Sequence, residues 1–324
     1  SCNTSVEDER FGKRKTAAFG EEPKRKKKRR PNLEKTKQAI DALRAEFEAK
    51  YEQQDQLGEG GYGTVFGGYR KADNLPVAIK YIPKEKIGRK HVDETGKKLS
   101  IEVAINLKLV DKTSRSAGTD QSALVSLLDW YDLDQELIMV LERPIPVEDL
   151  FDYIHGNGDS IEEQEAKIIL KQLVDVAIDL EGKNIFHRDI KAENILIETS
   201  SDVPRVRLID FGVSCFVKRG SRYRSFYGSS IVPEWLSLGW YRAGPTTVWQ
   251  IGVVLFNALH SDRGFETTEV LENRLRISET LSKYCQDFLK KCFITDPKQR
   301  PTLEQLRIHP WLNNTNTTNR CIYC

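Results

Sequence analysis

The sequence predicts an α+β protein, and three features carry that expectation. Strand-type runs fall in the first half, at Thr64-Val65-Phe66, Val77-Ala78-Ile79-Lys80 and Leu137 to Leu141. Helix-type runs with apolar residues three and four apart dominate the second half, at residues 161–182 and 247–259. The 324 residues are 39% hydrophobic and 9% aromatic, enough for two modest domains or one two-lobed domain with tails. Helix-type spacing also occurs at residues 32–50 and Lys97 to Val110, and a further strand at Arg205 to Ile209.

Charge and hydropathy exclude several classes of function. The 50 basic and 48 acidic residues nearly balance, so the molecule as a whole is not a polyanion binder. No apolar run approaches the roughly 18 residues of a membrane-spanning helix, so no membrane partner is expected. The longest, Val248 to Leu259, is interrupted by Gln250 and Asn257 and reads as a core helix. No secretory signal is expected, and the start at Ser1 without Met fits a trimmed or partial product. The six scattered cysteines are then expected as reduced thiols in a cytoplasmic or nuclear protein. Asn3-Thr4-Ser5 and similar triplets are chance matches to a glycosylation pattern.

In chain order, residues 1–31 are polar and end in seven consecutive basic residues, 24–30. Such a run repels itself and cannot bury a core, so it is expected to be disordered. It reads as a nuclear import signal or a solvated linker; without interleaved aromatic residues, nucleic acid is not an expected partner. Ile40, Leu43 and Phe47 recur at helical spacing, predicting an amphipathic helix over residues 32–50. Gly58-Glu59-Gly60-Gly61-Tyr62-Gly63-Thr64-Val65 follows as G-x-G-x-x-G-x-V. Glycines there allow a tight turn and close approach to phosphates. Because Thr64-Val65-Phe66 continues as a strand, a hairpin is favoured over a loop that opens a helix. Val77-Ala78-Ile79-Lys80 ends a short strand in a lysine. Lys97 to Val110 reads as a helix with Leu99, Val103 and Leu107 on one face, and Glu102 on it is the expected partner of Lys80. Glu94 competes for that role. Pro144 and Pro146 end the next strand and stiffen the connector after Glu142. The long helix at 161–182 carries Ile168, Ile169, Leu173, Val174 and Ile178.

His187-Arg188-Asp189-Ile190-Lys191-Ala192-Glu193-Asn194 comes next. It places a proton acceptor (Asp189), a cation (Lys191) and an amide able to hold magnesium (Asn194) within six residues. Asp210-Phe211-Gly212 supplies a second metal-binding residue, the acid Asp210. Glu234 and Arg300 are an expected buried ion pair. The terminal Cys321-Ile322-Tyr323-Cys324 fits neither a zinc site nor prenylation well.

In this order and spacing these motifs resemble a eukaryotic protein kinase from about residue 51 to 312. Lys191 after Asp189 looks like the serine/threonine type. The connector Glu142-Arg143-Pro144-x-Pro146-x-x-Asp149-Leu150-Phe151-Asp152 is similar to the Pim family. The resemblance implies a small β-rich lobe (about 51–141), a hinge (about 142–147) and a larger helical lobe (about 148–312), with a polar tail at 313–324. It implies ATP and Mg²⁺ as cofactors. The ATP site would comprise Leu57, Gly58, Glu59, Gly60, Gly61, Tyr62, Gly63, Val65, Ala78, Lys80, Glu142 and Pro144. Asn194 and Asp210 would bind metal, and Asp189, Lys191, Lys80 and Glu102 would serve catalysis. Asp149, Asp152, Glu193 and Asp262 are the expected acids for a protein substrate with Arg N-terminal to its acceptor. A monomer, active without phosphorylation of the segment after Asp210, is expected. Three departures stand out. The stretch Gly228 to Glu234 is about two residues short, Thr247 replaces an Asp common in kinases, and Ala192 replaces an acid common in the family. The competing reading is a pseudokinase, a nucleotide-binding scaffold on the same fold.

Overall fold

A helix running straight into a strand opens the described part of the chain. The computed structural model describes residues 33–88, 90–110, 123–200 and 203–314. The basic run at 24–30 and the cysteines at 321 and 324 lie outside them. The chain divides into two units, 1–39 and 40–324. In the first, described residues 33–39 form the opening of helix α1 (Leu33–Lys50); all that follows concerns the second.

Strands β1 (Tyr51–Gly60), β2 (Gly63–Arg70) and β3 (Leu75–Pro83) come next. A small hairpin, β4 (Lys90–Val92) and β5 (Lys98–Ser100), leads into α2 (Ile101–Leu109). β6 (Leu127–Asp132) and β7 (Glu136–Glu142) complete a five-stranded antiparallel sheet ordered β1-β2-β3-β7-β6. The two-residue period of a strand assigns its faces. Val77 and Ile79 join Phe47, Tyr131, Ile138 and Val140 in one cluster. Ile82 joins Val103, Leu137 and Met139 in another. The end of α1 thus covers one face and α2 the other. Phe47 sets its ring edge-on to Tyr131 at 5.5 Å, and Tyr51 Oη donates to Asp129 at 2.9 Å.

The expected helix at Lys97–Val110 is shorter. Lys98 to Ser100 pair with Lys90 to Val92, and Ser100 Oγ then caps α2 by accepting from Val103 N at 3.1 Å. Leu99 is buried from a strand, and Leu107 is exposed.

Beyond the connector lie β8 (Val147–Asp149), α3 (Leu150–Gly156), α4 (Glu163–Gly182) and β9 (Ile185–Phe186). Then come β10 (Ile195–Glu198), β11 (Arg205–Leu208) and β12 (Cys215–Phe216). α5 (Pro233–Leu238), α6 (Ala243–Leu259), α7 (Thr267–Leu271), α8 (Lys283–Cys292), α9 (Leu303–Arg307) and α10 (Pro310–Asn313) follow. β10 lies between β11 and β8, and β12 pairs with β9. α6 starts four residues before the expected Thr247 and is the most buried helix, with Val248, Trp249, Ile251, Leu255 and Phe256 fully enclosed. α4 packs Ile169, Leu173 and Val174, three and four residues apart or neighbours on one stripe, inward and leaves Ile168 exposed at the edge of that stripe. Glu234 and Arg300 meet in a buried two-pronged pair at 2.9 and 3.1 Å. No helix among the described residues is long and apolar enough to cross a membrane.

Candidate active site

Glycine shapes the roof of the cleft. β1 and β2 form a hairpin turning at Gly61-Tyr62, with Gly60 opposite Gly63. Gly63 has φ +146°, and a Cβ there would lie 2.1 Å from Tyr81 O of β3. That glycine is demanded by the neighbouring strand. Gly58, Gly60 and Gly61 differ, since a Cβ on any of them would meet nothing within 4 Å. Glu59 pairs with Thr64, and Val65 lies opposite Lys80 on β3. Leu57 is half exposed. Tyr62 folds inward: a Cβ on Gly212 would lie 3.3 Å from its Cγ. Burial, then the charges of Asp189 and Asp210, raise the pKa of the Tyr62 phenol.

Ala78 and Lys80 alternate on β3, so they share its face opposite Val77 and Ile79. Lys80 Nζ lies 2.6 Å from Glu102 Oε1 on α2 and 2.8 Å from Asp210 Oδ1. Glu94 is exposed in the turn before β5, far from this role. Burial opposes the Lys80 charge, but the two carboxylates outweigh it and hold its pKa above the usual lysine value. Burial pushes the Glu102 carboxyl up, against the pull of Lys80. For Asp210 burial is outweighed by Lys80 and Gly212 N, and its pKa falls.

The floor is tied from several sides. His187 is buried; its Nε2–H donates to Ile209 O at 3.0 Å, and Ser214 Oγ donates to His187 O at 2.9 Å. Asn194 Nδ2 donates to Asp189 O at 2.8 Å and to Asp189 Oδ2 at 3.3 Å. Lys191 Nζ stands 3.6 Å from the same Oδ2. Asp189 Oδ1 is buried without a partner. Arg188 has φ +75°, and its buried guanidinium stacks between Tyr223 and Tyr227 at 4.6 and 4.9 Å from the ring centroids.

At the hinge, Glu142 is bonded to the residue that precedes β6. Its N–H donates to Ser126 O at 2.9 Å, and its carboxylate accepts from Ser126 N at 3.3 Å. Pro144 is half buried and has no N–H to offer. Arg143, not singled out by the motif, reaches β2: a Cβ on Gly67 would lie 2.5 Å from its Nη1.

Among the expected substrate acids the structure separates two pairs. Glu193 and Asp262 line one groove of about 500 Å³ with Lys191, Ser229 and Ser230. Asp159 and His155 line it too; no motif marked them. Asp149 and Asp152 do not line it. Asp149 caps α3, accepting from Asp152 N at 2.9 Å, and burial raises its pKa. Sequence patterns assign no role to Tyr223, Tyr227, Gly228 or Gln250. For Gln250 the signal was a polar residue inside an apolar helical run.

The model of the protein kinase domain family matches residues 51–312. The serine/threonine-protein kinase pim-2 of Danio rerio is 33% identical over 84% of this chain and 88% of its own length. The serine/threonine-protein kinase prk-2 of Caenorhabditis elegans is 32% identical over 83% of this chain and 59% of its own length. A PAS domain-containing serine/threonine-protein kinase of Mus musculus is 30% identical over 85% of this chain but 19% of its own length. The family match spans both lobes, and the first relative is covered almost throughout, so the chain belongs to the protein kinase family and sits with its serine/threonine members.

Proposed function

We propose that this chain transfers the γ-phosphoryl group of ATP to serine or threonine hydroxyls of proteins bearing arginine before the acceptor. It does so as a monomer and without phosphorylation of its own activation segment. The observation that supports the transfer best is the division of labour within one carboxylate. Asp189 Oδ2 is held by Asn194, while Oδ1 is buried and unpaired. A buried acceptor without a donor costs about 1–3 kcal/mol, and a substrate hydroxyl is the donor that fits. Oδ1 takes the hydroxyl proton as its oxygen bonds to the γ-phosphorus; the bond to the β–γ bridging oxygen breaks and ADP leaves. Lys80, braced by Glu102, holds the α- and β-phosphates. Lys191 faces the charge on the moving group. Asp210 uses Oδ1 for Lys80 and Gly212, and Asn194 uses Nδ2 for Asp189, leaving Asp210 Oδ2 and Asn194 Oδ1 as hard oxygen donors that suit Mg²⁺. When bound, that ion supplies neutralisation of phosphate charge. The complete set of these groups argues against the scaffold reading. Asp189→Asn is expected to lower kcat on a peptide at least about a hundredfold while an ATP analogue still raises the melting temperature. Wild-type turnover in that variant refutes the assignment.

Glu193, Asp262 and Asp159 around one groove support the arginine preference, since a planar guanidinium binds carboxylates two-pronged. Arg three residues before the acceptor is expected to raise kcat/KM about tenfold over Ala, with less selection at more distant positions. Equal rates rule it out. The stacked Arg188 supports phosphate-free activity, because the charge that would receive a phosphate is already engaged by two rings. Phosphatase-treated enzyme is expected to keep its activity. Cytoplasmic or nuclear residence rests on the basic run at 24–30; alanine substitution and imaging of a tagged protein test it.

A further inference from the structure

We infer that Gln250 is a positioning residue for phosphoryl transfer, its buried amide clamping the two peptide groups on either side of Asp189. The inference rests on the reading that Asp189 receives the hydroxyl proton. Gln250 sits between Trp249 and Ile251 on α6, at 1% exposure. A primary amide in such a place is costly unless its polar atoms are paired. Its partners lie in the catalytic loop, 60 residues or more away in sequence. Nε2 donates to Arg188 O at 2.6 Å, and Oε1 accepts from Ile190 N at 3.4 Å. That carbonyl belongs to the peptide before Asp189, and that N–H to the peptide after it. One planar group therefore spans both and fixes the direction in which the Asp189 side chain leaves the backbone.

Strain supports the same assignment. Arg188 is left-handed at φ +75°, a conformation that persists only where its surroundings over-determine it. The short bond from Gln250 lands on the carbonyl of that residue. The activation segment closes on it from another side. Gly228, at φ +101°, comes so near that a Cβ would lie 2.7 Å from Arg188 O, 3.1 Å from Asp189 Oδ1 and 3.4 Å from Gln250 Nε2. Thr247, one turn earlier on α6, spends its hydroxyl on Ala243 O at 2.9 Å, within its own helix. The catalytic loop is thus aimed from α6 by Gln250. Lys80 and the glycine hairpin belong to the other lobe, so loss of the clamp should change turnover and leave nucleotide binding alone.

Gln250→Met keeps length and apolar fit and removes both bonds. Its kcat on a basic peptide is expected to fall about thirtyfold. KM for ATP and the melting shift produced by an ATP analogue should stay within about twofold of wild type. Hydrogen exchange at the Ile190 amide should quicken, with exchange along α6 unchanged. A variant kcat within about threefold of wild type overturns the inference. So does a joint loss of turnover, nucleotide affinity and melting temperature, which marks a purely structural role. If Gln250→Met does not fold, Gly228→Ala presses the same carbonyl from the opposite side. It should cost turnover without ATP affinity, and unchanged turnover overturns the clamp. Asp189→Asn serves as the separate arm: full activity there defeats the reading of the site, while Ile190 exchange still reports on the clamp.

Discussion

The glycine hairpin and the catalytic loop face the same cleft and are built in opposite ways. Of the ten residues of β1, all but Tyr51 are exposed, and Gly58, Gly60 and Gly61 touch no neighbour that would resist a side chain. In the catalytic loop His187, Arg188, Ile190 and Asn194 are buried, and bonds from Ser214, Asn194 and Gln250 converge on its backbone. The non-glycine residues at the site with left-handed backbone, Arg188 and Asp210, lie on the tied side. Strain can be kept only where packing over-determines it, and sparse packing is what lets a segment open and close. A kinase has need of both, because nucleotide must enter and leave whereas the proton acceptor must be aimed.

The widest contrast should appear between two ion pairs. Arg300→Leu strands Glu234 inside the helical lobe, where both partners are buried and Arg300 also serves Pro245 O and Ile294 O. Urea unfolding should show a loss of about 3–5 kcal/mol. Lys71→Ala removes the exposed partner of Glu52 beside the hairpin and should cost less than about 1 kcal/mol. Similar losses in the two variants would erase the distinction.

A sharper cut lies within the hairpin itself. Gly63→Ala drives a methyl into Tyr81 O and parts β2 from β3, so it should destabilise the fold by more than about 1 kcal/mol. Gly60→Ala meets no protein atom and should leave the melting temperature nearly unchanged while KM for ATP rises. If Gly60→Ala proved as destabilising as Gly63→Ala, the hairpin would be held as firmly as the loop below it.

What the sequence makes legible divides along a similar line. The hairpin, the strand ending in Lys80 and the 187–194 loop are read locally, because spacing along the chain decides which groups share a turn or a face. Glu102 and Arg300 could be matched to distant partners because the order of the motifs resembles a kinase, which implies both pairs, although Glu94 competed with Glu102. Meetings of neutral groups from remote segments leave no such trace. Gln250 reads only as a blemish in an apolar helix, and Gly228 only as the start of a shortened stretch. That Asp149 caps α3 is not legible, because capping a helix and binding a guanidinium call for the same side chain. The start of α2 was misplaced for a related reason: Lys98-Leu99-Ser100 suits a helix until β4 is there to pair with it. The role of α1 as a cover for the sheet depends on Tyr131, Ile138 and Val140, about 90 residues beyond Phe47.

The smallest expected effect is one of pH; of the three histidines behind it only His187 lies in the tied loop, and β1 and β2 contain no histidine. Burial lowers the pKa of His187, His260 and His309 below the usual 6.5, against the opposing pull of Ile209 O, Phe256 O and Asp287. Each ring shows why the neutral form is kept. One nitrogen donates outward, while the other accepts a backbone N–H: Asp189 N at 3.3 Å, Ser278 N at 3.0 Å and Trp311 N at 3.1 Å. A second proton would evict that donor. The unfolded chain has no such constraint and takes up protons near pH 6.5, so below that value it binds more protons than the fold does. Stability is therefore full above about pH 6.5 and declines as pH falls from there toward the lowered folded values. Melting curves at about pH 7.5 and 5.5 should show the lower temperature at the acid end, and His309→Gln should flatten the slope. Identical curves would mean that the three rings accept a proton as readily folded as unfolded, and that the backbone N–H bonds they accept are softer than their distances imply.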